Sequence, residues 1–181
     1  SGVELLKPLL IWLHSPTWTV PQPVIDQVVA AAESWVVRRQ LLRLSGSDLG
    51  RIVAEIIKTY SSSEPSDLGV RVSDHLARLD VSSTYWPGDD EVRAAMTEEP
   101  VYRRFRRGRV RMLLEAVEDV RRQGTNQPQV PRRGYPIEHV MPQKWPDHWP
   151  VEGVEAEVAR SARIHRLGNL TLLTQSLNSK V

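Results

Sequence analysis

Two prolines, Pro136 and Pro142, most strongly limit what the carboxy-terminal part of this chain can fold into. Proline supplies no backbone N–H, so it is confined to the ends, edges and bulges of β-strands. The run between them, Ile137–Val140, has apolar residues outside and ionisable residues inside, which predicts a short strand that cannot extend far. Neighbours in a strand point to opposite faces, so Glu138 and His139 can serve one site only where the strand ends early or bulges.

A second β-prone segment lies further along the chain. Residues 170–174 favour a strand, and the dipeptide Gly168-Asn169 before them is typical of a turn. Ser176 and Asn178 are the candidate caps of a helix that follows. The sequence therefore predicts a strand, a long Trp- and Pro-rich loop, a second strand and the start of a helix. We expect that helix to be truncated here, because only four residues run from Asn178 to Val181.

The rest of the chain is dominated by apolar residues at helical spacing. Such stripes predict amphipathic helices, which we place at residues 3–13, 24–43, 49–60, 67–79, 89–96 and in the later half of 101–123. The predicted fold is therefore mainly α with a small β part. We assign an α-helical subdomain to residues 3–123, a polar linker to 124–133 and a strand-containing module to 134–181.

Positive charge is concentrated just before the two predicted strands. Residues 101–133 contain ten arginines and three acidic residues, a net charge of +7, although the whole chain carries only +2. Arginine clusters bind polyanions such as nucleic acid, whereas a charge run can also be an ordinary solvated face. We predict that DNA is bound by basic residues of this run and of the chain end: Arg103, Arg104, Arg106, Arg107, Arg109, Arg111, Arg132, Arg133 and Lys180.

Composition excludes several other classes of protein. The sequence contains no cysteine, which excludes a disulfide framework and a thiolate metal site. It has no apolar run of membrane-spanning length and no visible signal peptide. It also contains no Gly-rich phosphate loop. These features predict a cytoplasmic protein without a membrane partner.

The region of the two predicted strands resembles a nuclease motif. Ile137–Pro142 contains a Glu-His pair, and it is followed by His165-Arg-Leu-Gly-Asn-Leu-Thr-Leu-Leu-Thr174 and by Asn178. This combination resembles the HNH, or ββα-metal, nuclease motif, and more closely the C-terminal nuclease domain of GmrSD- and SspE-type modification-dependent restriction enzymes. Glu33–Arg39 bears a weaker similarity to a helix with a paired arginine upstream of that domain. The resemblance begins at the second predicted helix and is specific only between residues 137 and 178.

The resemblance implies a role for each of these side chains. His139 would be the general base that deprotonates water, a task suited to a group that titrates near neutral pH, and Asn169 would hold its backbone or ring in place. Glu138 and Asn178 would hold Mg²⁺ or Mn²⁺, which prefer oxygen ligands. Asn178 replaces the final histidine for which the motif is named. The candidate catalytic residues are thus His139, Asn169 and His165.

Simpler roles stay open for the same residues. His139 could be a strand histidine that is satisfied by a backbone carbonyl, Asn169 only a turn residue, and Asn178 only a helix cap. His165 could pack or bond locally rather than act. His148 lies in a loop, where exposure is expected, and a zinc site built from His139, His148 and His165 matches no compact ligand spacing.

The function implied by the resemblance is metal-dependent cleavage or nicking of DNA, in restriction of phage or foreign DNA. The resemblance also implies a separate N-terminal domain, outside this chain, that senses the DNA modification and uses nucleotide. Two alternatives stay open. One is a module of the same fold that binds DNA without cleaving it. The other is an RNase, because such a site recognises the phosphate group and not the base sequence.

Overall fold

The computed structural model describes residues 2–132 and 134–174. The chain divides into two compact units, residues 1–93 and 94–181. Its described part is mainly helical and contains a two-stranded sheet, which confirms the predicted fold class of mainly α with a small β part. None of the helices in that part is both long and apolar enough to cross a membrane.

Helices account for most of the first unit. They are α1 (Gly2–Leu13), α2 (Gln22–Leu41), α3 (Leu49–Tyr60) and α4 (Leu68–Ala77). A further helix, α5 (Asp89–Glu98), contains the boundary between the units. The predicted helices over these segments are confirmed, because each observed end lies within two residues of the predicted one.

The core of the first unit forms around α2. Val28 and Trp35 on its apolar face are fully buried, and the Trp35 indole N–H donates a 2.7 Å hydrogen bond to the Thr84 carbonyl. Helix α4 packs against α2 closely at Gly69, where an added Cβ would lie 2.8 Å from the Cβ of Gln27. Glycine is therefore the residue that permits this contact without a shift of the helices.

Two consecutive arginines near the end of α2 fix the loop between α4 and α5. Arg38 donates a 3.1 Å hydrogen bond to the Pro87 carbonyl and forms a 2.5 Å ion pair with Asp89. The Arg39 side chain is buried, and its guanidinium donates hydrogen bonds of 2.7–3.3 Å to the backbone carbonyls of Ser45, Ser82, Ser83 and Tyr85. We call Arg39 with these carbonyls the arginine cage.

The second unit carries the sheet. Its elements are α6 (Val101–Arg104), α7 (Arg107–Gly124), β1 (Ile137–His139), α8 (Val154–Arg163) and β2 (Leu170–Leu172). The two strands are antiparallel, with Glu138 opposite Thr171 and His139 opposite Leu170. Among the described residues of this unit, Val101, Phe105, Val110 and Leu170 are buried together in one apolar cluster.

The predicted short strand before Pro142 is confirmed, since β1 ends at His139. The predicted long loop between the strands is wrong, because it contains α8. That segment is rich in glutamate, alanine and arginine, with acidic residues in its first turn and basic residues in its last turn, as helices favour. The predicted helix after Asn178 lies outside the described residues. The domain limits of 3–123 and 134–181 stay a prediction.

Candidate active site

His139 is the last residue of β1, and the chain that follows it is held by Asn169. The Val140 N–H donates to the Asn169 carbonyl at 2.9 Å. The Asn169 side-chain oxygen accepts the Met141 N–H at 2.7 Å, and its amide group donates to the carbonyls of Met141 at 3.1 Å and Ile164 at 2.9 Å. An amide suits this position because it combines an acceptor with two donors. These contacts support the predicted role of Asn169 in holding His139, which stays a prediction.

Two histidines meet at this end of the sheet. Nε2 of His139 lies 3.3 Å from Nδ1 of His165, and the two rings are nearly perpendicular. The His165 side chain is buried, with 7% of its surface exposed, whereas His139 is half-buried. His165 lies two residues before the short 3-10 helix Leu167–Asn169, which ends at Asn169. We call His139 and His165 the histidine pair.

Tyr102 contacts both rings of the histidine pair. Its ring lies edge-on to His139, with centroids 4.3 Å apart, and nearly parallel to His165, with centroids 5.7 Å apart. Its backbone N–H donates a 3.0 Å hydrogen bond to the His165 carbonyl. Tyr102 was not among the site residues predicted from the sequence. The signal that could have found it is an aromatic residue inside an arginine run, since such rings stack with arginine and with nucleobases.

Two arginines of the basic run, Arg103 and Arg107, contribute to lowering the pKa values of the histidine pair. Arg107 lies with its guanidinium carbon 3.5 Å from the Tyr102 ring centroid, and it donates a hydrogen bond to the Tyr102 carbonyl. Burial lowers the pKa of His139 below the ordinary histidine value, and His165 and Arg107 lower it further. Burial also lowers the pKa of His165, with added effects from Arg103 and Arg107. Both imidazoles are therefore neutral at pH 7, the form in which a histidine can accept a proton.

Three other predicted DNA-binding arginines form ion pairs within the unit. Arg104 pairs with Glu99 at 2.9 Å, and Arg132 pairs with Asp119. Arg111 pairs with Glu115 at 3.1 Å and also donates to the carbonyls of Arg132 and Tyr135, so it anchors the segment before β1. Because these guanidinium groups already have anionic partners, they are less available to phosphate than a solvated arginine.

The remaining basic candidates differ in their surroundings. Arg103, Arg106 and Arg107 are exposed, whereas Arg109 is half-buried with its guanidinium carbon 5.5 Å from the Phe105 ring centroid. Arg133 and Lys180 lie outside the described residues. The predicted role of these side chains in binding DNA stays a prediction, and Arg103 and Arg107 are the two that also influence the histidine pair.

The predicted metal ligand Glu138 precedes His139 in β1 and is half-buried opposite Thr171. The second predicted ligand, Asn178, lies outside the described residues. Within residues 2–132 and 134–174, no three histidine or carboxylate side chains form a ready metal cluster, and His148 is exposed. Glu138 is one residue from His139 in the chain, and a single carboxylate is the type of ligand that suits a hard cation which takes few ligands from the protein and keeps its waters.

A family of restriction endonucleases matches the part of the chain that contains the histidine pair. The family described as GmrSD restriction endonucleases, C-terminal domain, matches residues 86–181, which is just over half of the chain. The chain belongs to this family. Membership supports a nuclease domain of the restriction-endonuclease type. No curated protein and no solved structure matches the chain significantly.

Proposed function

We propose that the second unit is an HNH-type, metal-dependent DNA endonuclease. The observation that carries the proposal is a half-buried histidine at the end of a proline-bounded strand, followed by a segment that is hydrogen-bonded to the Asn169 side chain. Geometry and protonation state both suit His139 for the role of general base. The match to a restriction-endonuclease family supports the choice of nucleic acid as the substrate.

The reaction that His139 would catalyse is hydrolysis of a phosphodiester. Its bare ring nitrogen takes a proton from water while the water oxygen forms a bond to phosphorus. The opposite phosphorus–oxygen ester bond then breaks, and the leaving oxygen takes a proton from solvent. Since the pKa of His139 is lowered, the base stays unprotonated to a lower pH than an ordinary histidine would.

Glu138 is the described residue that would hold the divalent cation, with Asn178 as the proposed second ligand. When bound, Mg²⁺ or Mn²⁺ would supply the positive charge that stabilises negative charge on the phosphate and on the leaving oxygen. Both proposed ligands present oxygen, the atom that these cations prefer. The sequence has no cysteine, so the site offers no thiolate that would favour a softer metal.

The arginines near the histidine pair would bind the DNA backbone. Arg103 and Arg107 are exposed, and both are close enough to the histidine pair to lower a histidine pKa. A phosphate bound by these cations would therefore lie near His139. The neighbouring exposed residue, Arg106, would extend the contact along the strand.

The biological role we propose is that of an effector in restriction of modified phage or foreign DNA in the cytoplasm. A separate sensor domain of the parent protein, outside this chain, would recognise the modification and use nucleotide. The family match supports the restriction role.

The proposal is tested by incubating the purified chain with supercoiled plasmid and Mg²⁺ or Mn²⁺, with EDTA as the control. We expect nicked or linear plasmid that is absent with EDTA. Binding without cleavage in either metal would favour the DNA-binding module. Cleavage of RNA but not of DNA under the same conditions would favour the RNase.

A further inference from the structure

The contact within the histidine pair uses one defined nitrogen of each ring. Nε2 of His139 faces Nδ1 of His165 at 3.3 Å. A hydrogen bond needs one donor and one acceptor, so at this distance one of these nitrogens carries the hydrogen and the other accepts it. Either His139 donates to His165, or His165 donates to His139.

Only the first arrangement leaves His139 able to act as a base at its other nitrogen. If His165 donated, the bare Nε2 of His139 would be occupied and its Nδ1 would carry a hydrogen. If His139 donates from Nε2, its Nδ1 is bare and basic. This arrangement also places the hydrogen of each ring on Nε2, which is the nitrogen that a neutral histidine prefers to protonate.

We propose that His165 is a positioning residue whose Nδ1 accepts the Nε2–H of His139, so that Nδ1 of His139 takes the proton from the attacking water. This inference deepens the proposed nuclease function and rests on it. When water gives its proton to Nδ1 of His139, its oxygen bonds to phosphorus, and the ester oxygen leaves with its bonding pair and takes a proton from solvent. His139 becomes an imidazolium whose Nε2–H bond to His165 is then charge-assisted and stronger.

The surroundings of His165 hold its ring in the orientation that this bond requires. The Tyr102 ring lies nearly parallel to it, at an interplanar angle of 9°, and the Tyr102 N–H binds its carbonyl. The residue before His165 is also fixed, because the Ile164 carbonyl accepts a 2.9 Å hydrogen bond from the Asn169 side chain. An orienting group of this kind has the same function as the carboxylate of a serine-histidine-aspartate triad, which fixes the tautomer of the base.

His165 can accept the hydrogen bond only while it is neutral. A protonated His165 would carry hydrogens on both nitrogens, so its Nδ1–H would face the Nε2–H of His139 and no hydrogen bond could form. Burial and the Arg103 and Arg107 cations lower its pKa, which favours the neutral ring. In the chain without DNA, burial and these two arginines therefore favour the accepting form of His165.

The tautomer is tested directly by ¹⁵N NMR of the full chain labelled at histidine, without DNA. The signals of His139 and His165 are assigned from the variants that remove each ring. We expect His139 to carry its hydrogen on Nε2, and we expect this preference to weaken in His165→Leu and to persist in His165→Asn, whose amide oxygen can still accept. A hydrogen on Nδ1 of His139 in the wild-type chain, or an unchanged tautomer in His165→Leu, would overturn the proposal.

Cleavage kinetics supply a second readout. Loss of an orienting partner costs roughly 10- to 100-fold, so kcat should fall by about that factor in His165→Leu, with partial rescue in His165→Asn and little change in KM. The exposed His148 is the control, and His148→Leu should match the wild type. Wild-type kcat in a folded His165→Leu would overturn the positioning role. If the wild-type chain cleaves no substrate, the nuclease proposal fails, and the NMR result still decides how the pair is arranged.

Discussion

Each unit contains a buried polar cluster, and the two clusters use their charges in different ways. In the arginine cage of the first unit, one guanidinium meets the backbone carbonyls of two loops, and Arg39 is 1% exposed. In the second unit, two imidazoles face each other beside arginine cations that disfavour a further positive charge. The first cluster holds a permanent charge in place, whereas the second keeps two titratable groups neutral.

This difference distinguishes polar groups that support the fold from polar groups that can exchange a proton in a reaction. Burial lowers the pKa of Arg39, but the group titrates so far above neutrality that it stays charged. The histidines titrate near neutrality, so a modest shift decides their protonation state. A buried polar cluster therefore indicates chemistry when its groups can exchange a proton at working pH, and indicates support of the fold when they cannot.

The largest effect on stability is expected from the arginine cage. Arg39→Met removes the donors for four partly buried carbonyls, so the first unit should lose roughly 1–3 kcal/mol of unfolding free energy. Urea unfolding monitored by tryptophan fluorescence measures this loss. Arg51→Met is the matched control, because Arg51 forms an exposed ion pair with Glu55, and it should change stability by less than about 0.5 kcal/mol. Equal effects of the two substitutions would show that the cage is not structural.

Replacing Glu138 should weaken the binding of the metal and leave the stability of the fold unchanged. Glu138→Ala should raise the Mg²⁺ concentration needed for half-maximal cleavage, by roughly 10- to 100-fold if the residue is a ligand, and Asn178→Ala should do so more weakly. The measurement is a Mg²⁺ titration of plasmid nicking by each variant, with the melting temperature recorded alongside. A wild-type metal titration would exclude the substituted residue as a ligand.

The contribution of each arginine to DNA binding should depend on whether it forms an ion pair within the protein. Replacing Arg103 and Arg107 together by glutamine should lower the slope of log K against log salt by about 0.9 for each arginine that binds a phosphate. The matched double variant replaces Arg104 and Arg132, which pair with Glu99 and Asp119, and should lower the slope less. DNA binding is measured by fluorescence anisotropy over a range of salt concentrations. Equal changes in the two variants would show that the internal ion pairs do not withhold these arginines from DNA.

The smallest effect is expected from a change in pH, which should alter the stability of the fold through the histidine pair. Both histidine pKa values are lowered by folding, so the unfolded chain binds protons more readily near the ordinary histidine pKa of about 6.5. The stability contributed by the neutral pair is present above that pH and is lost as pH falls toward the folded values. Melting temperatures from about pH 7.5 to about pH 5 should decline less steeply in His165→Asn than in the wild type. Parallel declines would show that His165 does not contribute.

Local patterns in the sequence were enough to predict most of the fold. Apolar spacing located the helices of the first unit, because a helix buries residues that recur with its own period. The prolines around Ile137–Val140 marked the end of β1 at His139. The same approach missed α8, because the Trp- and Pro-rich residues before it suggested a loop throughout.

The sequence indicated one set of contacts in the candidate site, because the motif pairs Asn169 with the chain around His139 and the structure shows hydrogen bonds that join Asn169 to Val140 and Met141. The other contacts were not predictable. Tyr102 approaches the histidine pair from a different helix, and nothing in its local sequence determines that contact. The arginine run looked uniform in the sequence, but the positions of Glu99, Glu115, Glu118 and Asp119 decide which of its described members form ion pairs.

The central claim is that His139 takes the proton from the attacking water, and single-turnover cleavage by His139→Ala tests it most directly. With Mg²⁺ and saturating protein, the rate should fall by about 10²- to 10⁴-fold, while DNA affinity and melting temperature stay near the wild-type values. His148→Ala, a change at an exposed loop histidine, should cleave at the wild-type rate. Wild-type cleavage by folded His139→Ala would contradict the claim.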